Sequence, residues 1–155
     1  MRTLFIYFSY TGNGNAVAAY LAEKGADVRK VQAKKPLPRS FFFGMMTGGF
    51  LAGIGHKSKL VDFDPSVEGY DRVVIGSPIW NGRLSCPINA ALASLSLGET
   101  PVSFVLYAGG GEAPKAIKRL AKEYPNAGVV ILKEPKKYQD EFSKLSVLFD
   151  LNGEV

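Results

Sequence analysis

Ser9, Tyr10, Thr11, Gly12 and Asn13 follow directly on the apolar run Leu4–Phe8 and precede a helical pattern that opens with Val17, Tyr20 and Leu21. Hydroxyls and a glycine placed between a strand and a helix gather backbone N–H groups and a helix N-terminus at one spot, which suits a phosphate. No Lys or Arg lies between Ser9 and Asn15. The loop is therefore expected to hold its anion with neutral donors: hydroxyls, amides and the helix dipole. It is neither the Lys-bearing loop of the P-loop NTPases nor the G-x-G-x-x-G turn of dinucleotide folds. Taken alone, the stretch is equally an ordinary strand-to-helix turn in which Thr11 or Asn13 caps the helix.

Two later loops add other chemistry. Gly76-Ser77-Pro78-Ile79-Trp80-Asn81-Gly82 offers an aromatic wall for a flat π system and an Asn-Gly pair that turns easily. Tyr107-Ala108-Gly109-Gly110-Gly111 offers bare backbone that can approach the edge of a ring closely.

The elements that must position these loops read as strands alternating with helices. Strands are expected at about Thr3–Phe8, Asp27–Val31, Arg72–Gly76, Val102–Tyr107 and Gly128–Leu132. The first and fourth are nearly continuous apolar runs, as in parallel strands buried on both faces. Helices are expected at about Asn15–Lys24, Cys86–Ser96, Ala113–Tyr124 and Asp140–Phe149. In the third of these, Ile117, Leu120, Ala121 and Tyr124 share one face. The alternation implies an α/β fold, a doubly wound five-stranded parallel sheet of order 2-1-3-4-5 with right-handed crossovers. Ligands then bind at the carboxyl ends of the strands beside the switch point, where the three loops lie.

Length and composition bound the remaining possibilities. The 155 residues are the size of one domain, and 46% hydrophobic with 21% charged residues is an ordinary globular mixture. One Cys and one His rule out a disulfide framework and argue against a multi-ligand Cys/His metal site. No signal-like segment opens the chain, and the longest apolar stretch, Phe41 to Ile54, is short and glycine-rich for a bilayer span. A cytoplasmic protein without a membrane span is expected. The net charge of +5 gathers at Arg29, Lys30, Lys34, Lys35, Arg39, Lys57 and Lys59. This is a solvated basic face, or a patch for an acidic partner or nucleotide phosphates. No nucleic-acid recognition motif accompanies it. Phe41 to Ile54 reads as core, lid or interface; His56 reads as surface, and Cys86 as a small apolar residue opening a helix.

In strand order and in all three loops the chain resembles the flavodoxin family. Ser9, Thr11, Gly12 and Asn13 match S-x-T-G-N; Gly76, Ser77, Pro78, Trp80 and Gly82 look like G-[ST]-P-x-W-x-G; Gly109, Gly110 and Gly111 match the Gly-rich third loop. The resemblance implies a flavodoxin-like domain over residues 1–155 that binds FMN non-covalently. The cofactor residues would be Ser9, Tyr10, Thr11, Gly12, Asn13, Gly14 and Asn15 at the phosphate. Pro78, Ile79, Trp80, Asn81 and Gly82, with Ala108, Gly109, Gly110 and Gly111, would flank the isoalloxazine. It also implies that the Asn81–Gly82 peptide can turn its carbonyl toward flavin N5–H. One position departs from the pattern: the family commonly has Thr after T-G-N, where this chain has Gly14. A phosphate-contacting hydroxyl is lost there, and the Asn15 amide is the candidate replacement.

Three functions follow. One is a flavin electron carrier docking on a redox partner protein, or serving a small-molecule acceptor. Another is an NAD(P)H-dependent FMN or quinone reductase. The third is a non-redox binding protein on the same fold. Three intact loops favour flavin redox chemistry. The lack of a second nucleotide motif or an acid/base pair leans toward the carrier, as a monomer or homodimer.

Overall fold

The computed structural model describes residues 1–35, 46–47 and 59–149. Most of the Phe41–Ile54 stretch, together with His56, Arg39 and Lys57, lies outside them. The chain runs β1 (Thr3–Tyr7), α1 (Asn13–Glu23), β2 (Asp27–Lys30), β3 (Arg72–Trp80), β4 (Arg83–Leu84), α2 (Cys86–Ser94), β5 (Val102–Ala108), α3 (Pro114–Glu123) and β6 (Val129–Lys133). A 3-10 helix, Gln139–Val147, follows. Five parallel strands lie in the order β2-β1-β3-β5-β6, which is 2-1-3-4-5 when only those five are counted. The two-residue β4 pairs antiparallel with the end of β3. The expected doubly wound, flavodoxin-like α/β sheet is thus present.

Alternation along the strands sends side chains to two separate cores. Leu4, Ile6, Val73, Ile75, Phe104 and Leu106 pack on one face with Ile88 and Ala91 of α2 and Ala116 and Leu120 of α3. Phe5, Tyr7, Val74, Val105, Tyr107 and Leu132 pack on the other with Val17 and Leu21 of α1 and Leu145 of the 3-10 helix. α1 and the 3-10 helix therefore lie side by side, with Tyr20 and Phe142 stacked 4.7 Å apart. Ala33 bridges Leu60, so the chain on either side of residues 36–58 returns to one point.

Three boundaries differ from expectation. β3 does not stop at Gly76 but continues to Trp80. Its partner β1 ends opposite Gly76, and β4 takes up Ile79 and Trp80 beyond it. Pro78, which has no N–H to donate, is tolerated there while β5 still pairs with the other side. Gln139–Val147 is a 3-10 rather than an α-helix. Ser143 and Ser146 return their hydroxyls to the carbonyls of Asp140 and Ser143, three residues back, which tightens the turn. In α3 the buried residues are Ala116 and Leu120, continuing from Ala113 at its N-cap, while Ile117 and Ala121 are exposed.

Candidate functional site

The three loops meet at the carboxyl edge of the sheet, beside the switch between β1 and β3. Hydrogen bonding extends β1 by one residue, Phe8 N–H donating to Gly76 O at 3.1 Å. The chain then leaves the sheet as Ser9–Gly12 and enters α1. The first turn of α1 carries no side-chain cap and no acidic residue. Its leading N–H groups thus keep their positive field toward the loop. Ser9 Oγ is buried and makes no hydrogen bond. An unpartnered buried hydroxyl costs stability unless something accepts from it, and a phosphate oxygen is suited to that role.

Gly14 has a steric cause. A Cβ there would lie 2.6 Å from Tyr107 Oη and 2.7 Å from Phe8 O. Tyr107 donates a short hydrogen bond to Phe8 O. Complete burial raises the phenol well above its ordinary pKa, so the proton stays on it. The Tyr107 hydroxyl fills the space that a side chain at position 14 would need. Asn15 is exposed on α1.

The loop, expected to hold an anion with neutral donors, has a lysine from a distant part of the chain beside it. The connection after β6 passes the N-terminus of α1, because the 3-10 helix it leads to packs beside α1. Lys136 is on that connection. Its N–H donates to Asn13 Oδ1 at 3.1 Å, and its Nζ lies 3.5 Å from Thr11 O. Asn13 also donates from Nδ2 to Thr11 Oγ1 at 3.3 Å. No sequence motif marks Lys136; the parallel order and the pairing of α1 with the last helix are the only signals that could have found it.

The second stretch is a hairpin. Asn81 at φ 50° and Gly82 at φ 73° make the two-residue turn between β3 and β4. Both positions need left-handed backbone, which Asn and Gly adopt at least cost. Gly76 and Ser77 are buried within β3. Ser77 Oγ accepts from Ser85 N–H at 3.0 Å, which ties the hairpin back to its own strand. Pro78 and Ile79 are half-buried. Trp80 is 2% exposed and packs with Cys86. It meets Phe8 and Tyr10 edge-on, at 5.6 and 6.2 Å between ring centres. It braces the first loop from below, and Tyr10 is the more accessible ring. Burial pushes the Cys86 thiol above its ordinary pKa, as befits a packing residue.

In the third loop, Ala108 closes β5. Gly109 and Gly110 are exposed, with open space where a Cβ would stand. Gly111 N–H donates to Ala108 O at 3.1 Å and turns the chain toward α3. A lysine stem runs beside each loop: Lys136 by Gly12, Lys115 by Gly82 and Lys133 by Gly111. The rim therefore combines an uncapped helix start, an orphaned hydroxyl, a turn with pliable peptides and a side-chain-free edge. These residues fit a flat phosphorylated ring system.

No helix among the described residues is long and apolar enough to cross a membrane. No curated protein sequence matches the chain. Solved structures of the same architecture do. A flavoprotein from Lactobacillus acidophilus NCFM, in complex with FMN, superposes with a TM-score of 0.62 at 16% identity, covering 90% of this chain and 97% of that one. A protein from Bacteroides uniformis ATCC 8492, provisionally described as a flavoprotein, reaches 0.68 at 20% identity, covering 92% and 97%. One from Bacteroides eggerthii DSM 20697, described in the same way, reaches 0.63 at 24% identity, covering 94% and 96%. The likeness to flavodoxins holds for the fold; the family is a different one. Residues 1–135 match the family model of NADPH-dependent FMN reductases. The chain belongs to that family, and its cofactor is FMN.

Proposed function

We propose that this protein is an FMN-dependent oxidoreductase that draws electrons from NAD(P)H and delivers them to a small acceptor such as a quinone or free flavin. The observation that carries the reading is the family match over residues 1–135, which contains all three loops. Held by these residues, FMN would supply the hydride-accepting ring that links a two-electron nicotinamide donor to an acceptor. The chain's own residues bind and orient. Ser9 and the start of α1 receive the phosphate. Tyr10, braced by Trp80, borders the ring. The Asn81–Gly82 turn presents backbone groups to one side of it. The open edge at Gly109 and Gly110 leaves room for a second planar molecule. Lys115 and Lys133 add positive potential beside the rim, which favours a donor carrying several phosphates.

The family favours this reading over the electron carrier toward which the motif inventory leans. A dinucleotide donor can be held at the exposed rim by the flavin itself and a few cations, without a glycine-rich motif of its own. The test is steady-state NADPH oxidation by the FMN-loaded protein with a quinone or excess FMN and no other protein. Sustained turnover well above that of free FMN is expected. Turnover that appears only after a separate reductase is added would restore the carrier.

A further inference from the structure

We propose that Lys136 is the cation of the phosphate cradle, reaching the FMN 5′-phosphate from the far edge of the sheet. The inference rests on the reading of the rim as an FMN site.

The connection that carries Lys136 is a fixed turn. Glu134 sits in left-handed backbone at φ 39°. Its carbonyl accepts from both Lys137 N–H and Tyr138 N–H, at 2.8 and 2.9 Å. A non-glycine residue holds that conformation only where its surroundings require it. The turn is clipped to the cradle by the Lys136 N–H to Asn13 Oδ1 bond. That bond spends the Asn13 carbonyl on the connection, and the N-cap itself is Gly12, which has no side chain to cap α1.

Three lysines lie on this stretch, and only one faces the cradle. The ammonium groups of Lys133 and Lys137 lie over the Tyr138 ring, 5.8 and 5.1 Å from its centre. Lys136 Nζ instead lies 3.1 Å from where a Cβ on Gly12 would stand. No carboxylate among the described residues is within ion-pair distance of it. Its one polar contact, with Thr11 O at 3.5 Å, is long for a hydrogen bond. An ammonium held over a loop with an orphaned Ser9 hydroxyl and uncapped helix amides is placed for an anion. A phosphate there would accept a charge-assisted bond from Lys136 besides the neutral donors.

The experiment compares FMN with riboflavin, which lacks the phosphate. Dissociation constants are read from flavin fluorescence quenching for the wild type, Lys136→Met and Lys136→Arg. Lys136→Met should weaken FMN roughly tenfold or more, a typical loss for a charge-assisted bond. It should leave riboflavin affinity unchanged. Lys136→Arg should keep most of the FMN affinity. Added salt should weaken FMN binding to the wild type more steeply than to Lys136→Met. Equal FMN affinity in Lys136→Met and the wild type would overturn the proposal. So would an equal loss for both flavins, since that would mark a structural role. A wild type that binds neither flavin would defeat the FMN reading, and this inference with it.

Discussion

A methyl group at position 14 would stand 2.6 Å from the Tyr107 hydroxyl and 2.7 Å from the Phe8 carbonyl. From the sequence, Gly14 reads as a lost ligand; in the fold it is the space that lets β1, β5 and α1 close together. Gly14→Ala should destabilise the protein by about 1–3 kcal/mol, the usual cost of overpacking, in chemical denaturation. Adding Tyr107→Phe removes one clash and leaves the backbone one. The double variant should thus remain less stable than Tyr107→Phe alone. A Gly14→Ala protein as stable as the wild type would show that the cradle is looser than drawn. The turn from β1 into α1 at Ser9 to Asn15 was legible because its residues are contiguous. Lys136 was not, because it lies 125 positions from its partner Thr11. Trp80 could be placed in the loop region after Gly76, but not its burial against Phe8 and Tyr10, which depends on the hairpin folding back.

At the scale of elements, four of the parallel strands announce themselves as β-branched and aromatic runs, and the fifth, Asp27–Lys30, is readable from its place after the first helix. What escaped reading was decided by neighbours. β3 outlasts Gly76 because β5 continues beside it to Pro78 and β4 then pairs with Ile79 and Trp80 after β1 has ended. The last helix is 3-10 because its serines bond backward. That helix is fastened to β6 through Glu141, which accepts from Lys144 Nζ at 2.6 Å and from Lys133 N–H at 2.9 Å. The side-chain bond from Lys144, then the backbone bond, holds the Glu141 carboxyl below its ordinary pKa of 4.5. A carboxyl depressed in the folded state adds stability above its unfolded pKa and loses it as pH falls through the folded value. Urea midpoints of the wild type should therefore drop more between pH 6 and acid below 4.5 than those of Glu141→Gln. Identical acid slopes would show that the carboxylate does not fasten the helix. Because the lysine is about half exposed, the difference should be modest.

For the molecule as a whole, the doubly wound order could be inferred from the alternation of strands and helices alone. The consequence of that order could not. Placing α1 and the last helix on one face draws the end of β6 across the phosphate cradle and makes a site of neutral donors into one with a lysine above it. Lys115 from α3 and Lys133 from the end of β6 stand beside the other two loops, so that the rim suits anionic flavin and anionic donor alike. Everything rests on the rim seating FMN, and heat unfolding with and without the ligand tests that most directly. FMN at about a hundred times its dissociation constant contributes ~2.7 kcal/mol to the folded state. In a chain of this size that should raise the midpoint by roughly 5–10 °C. An unchanged midpoint in saturating FMN, from a folded protein that stays colourless, would contradict the account.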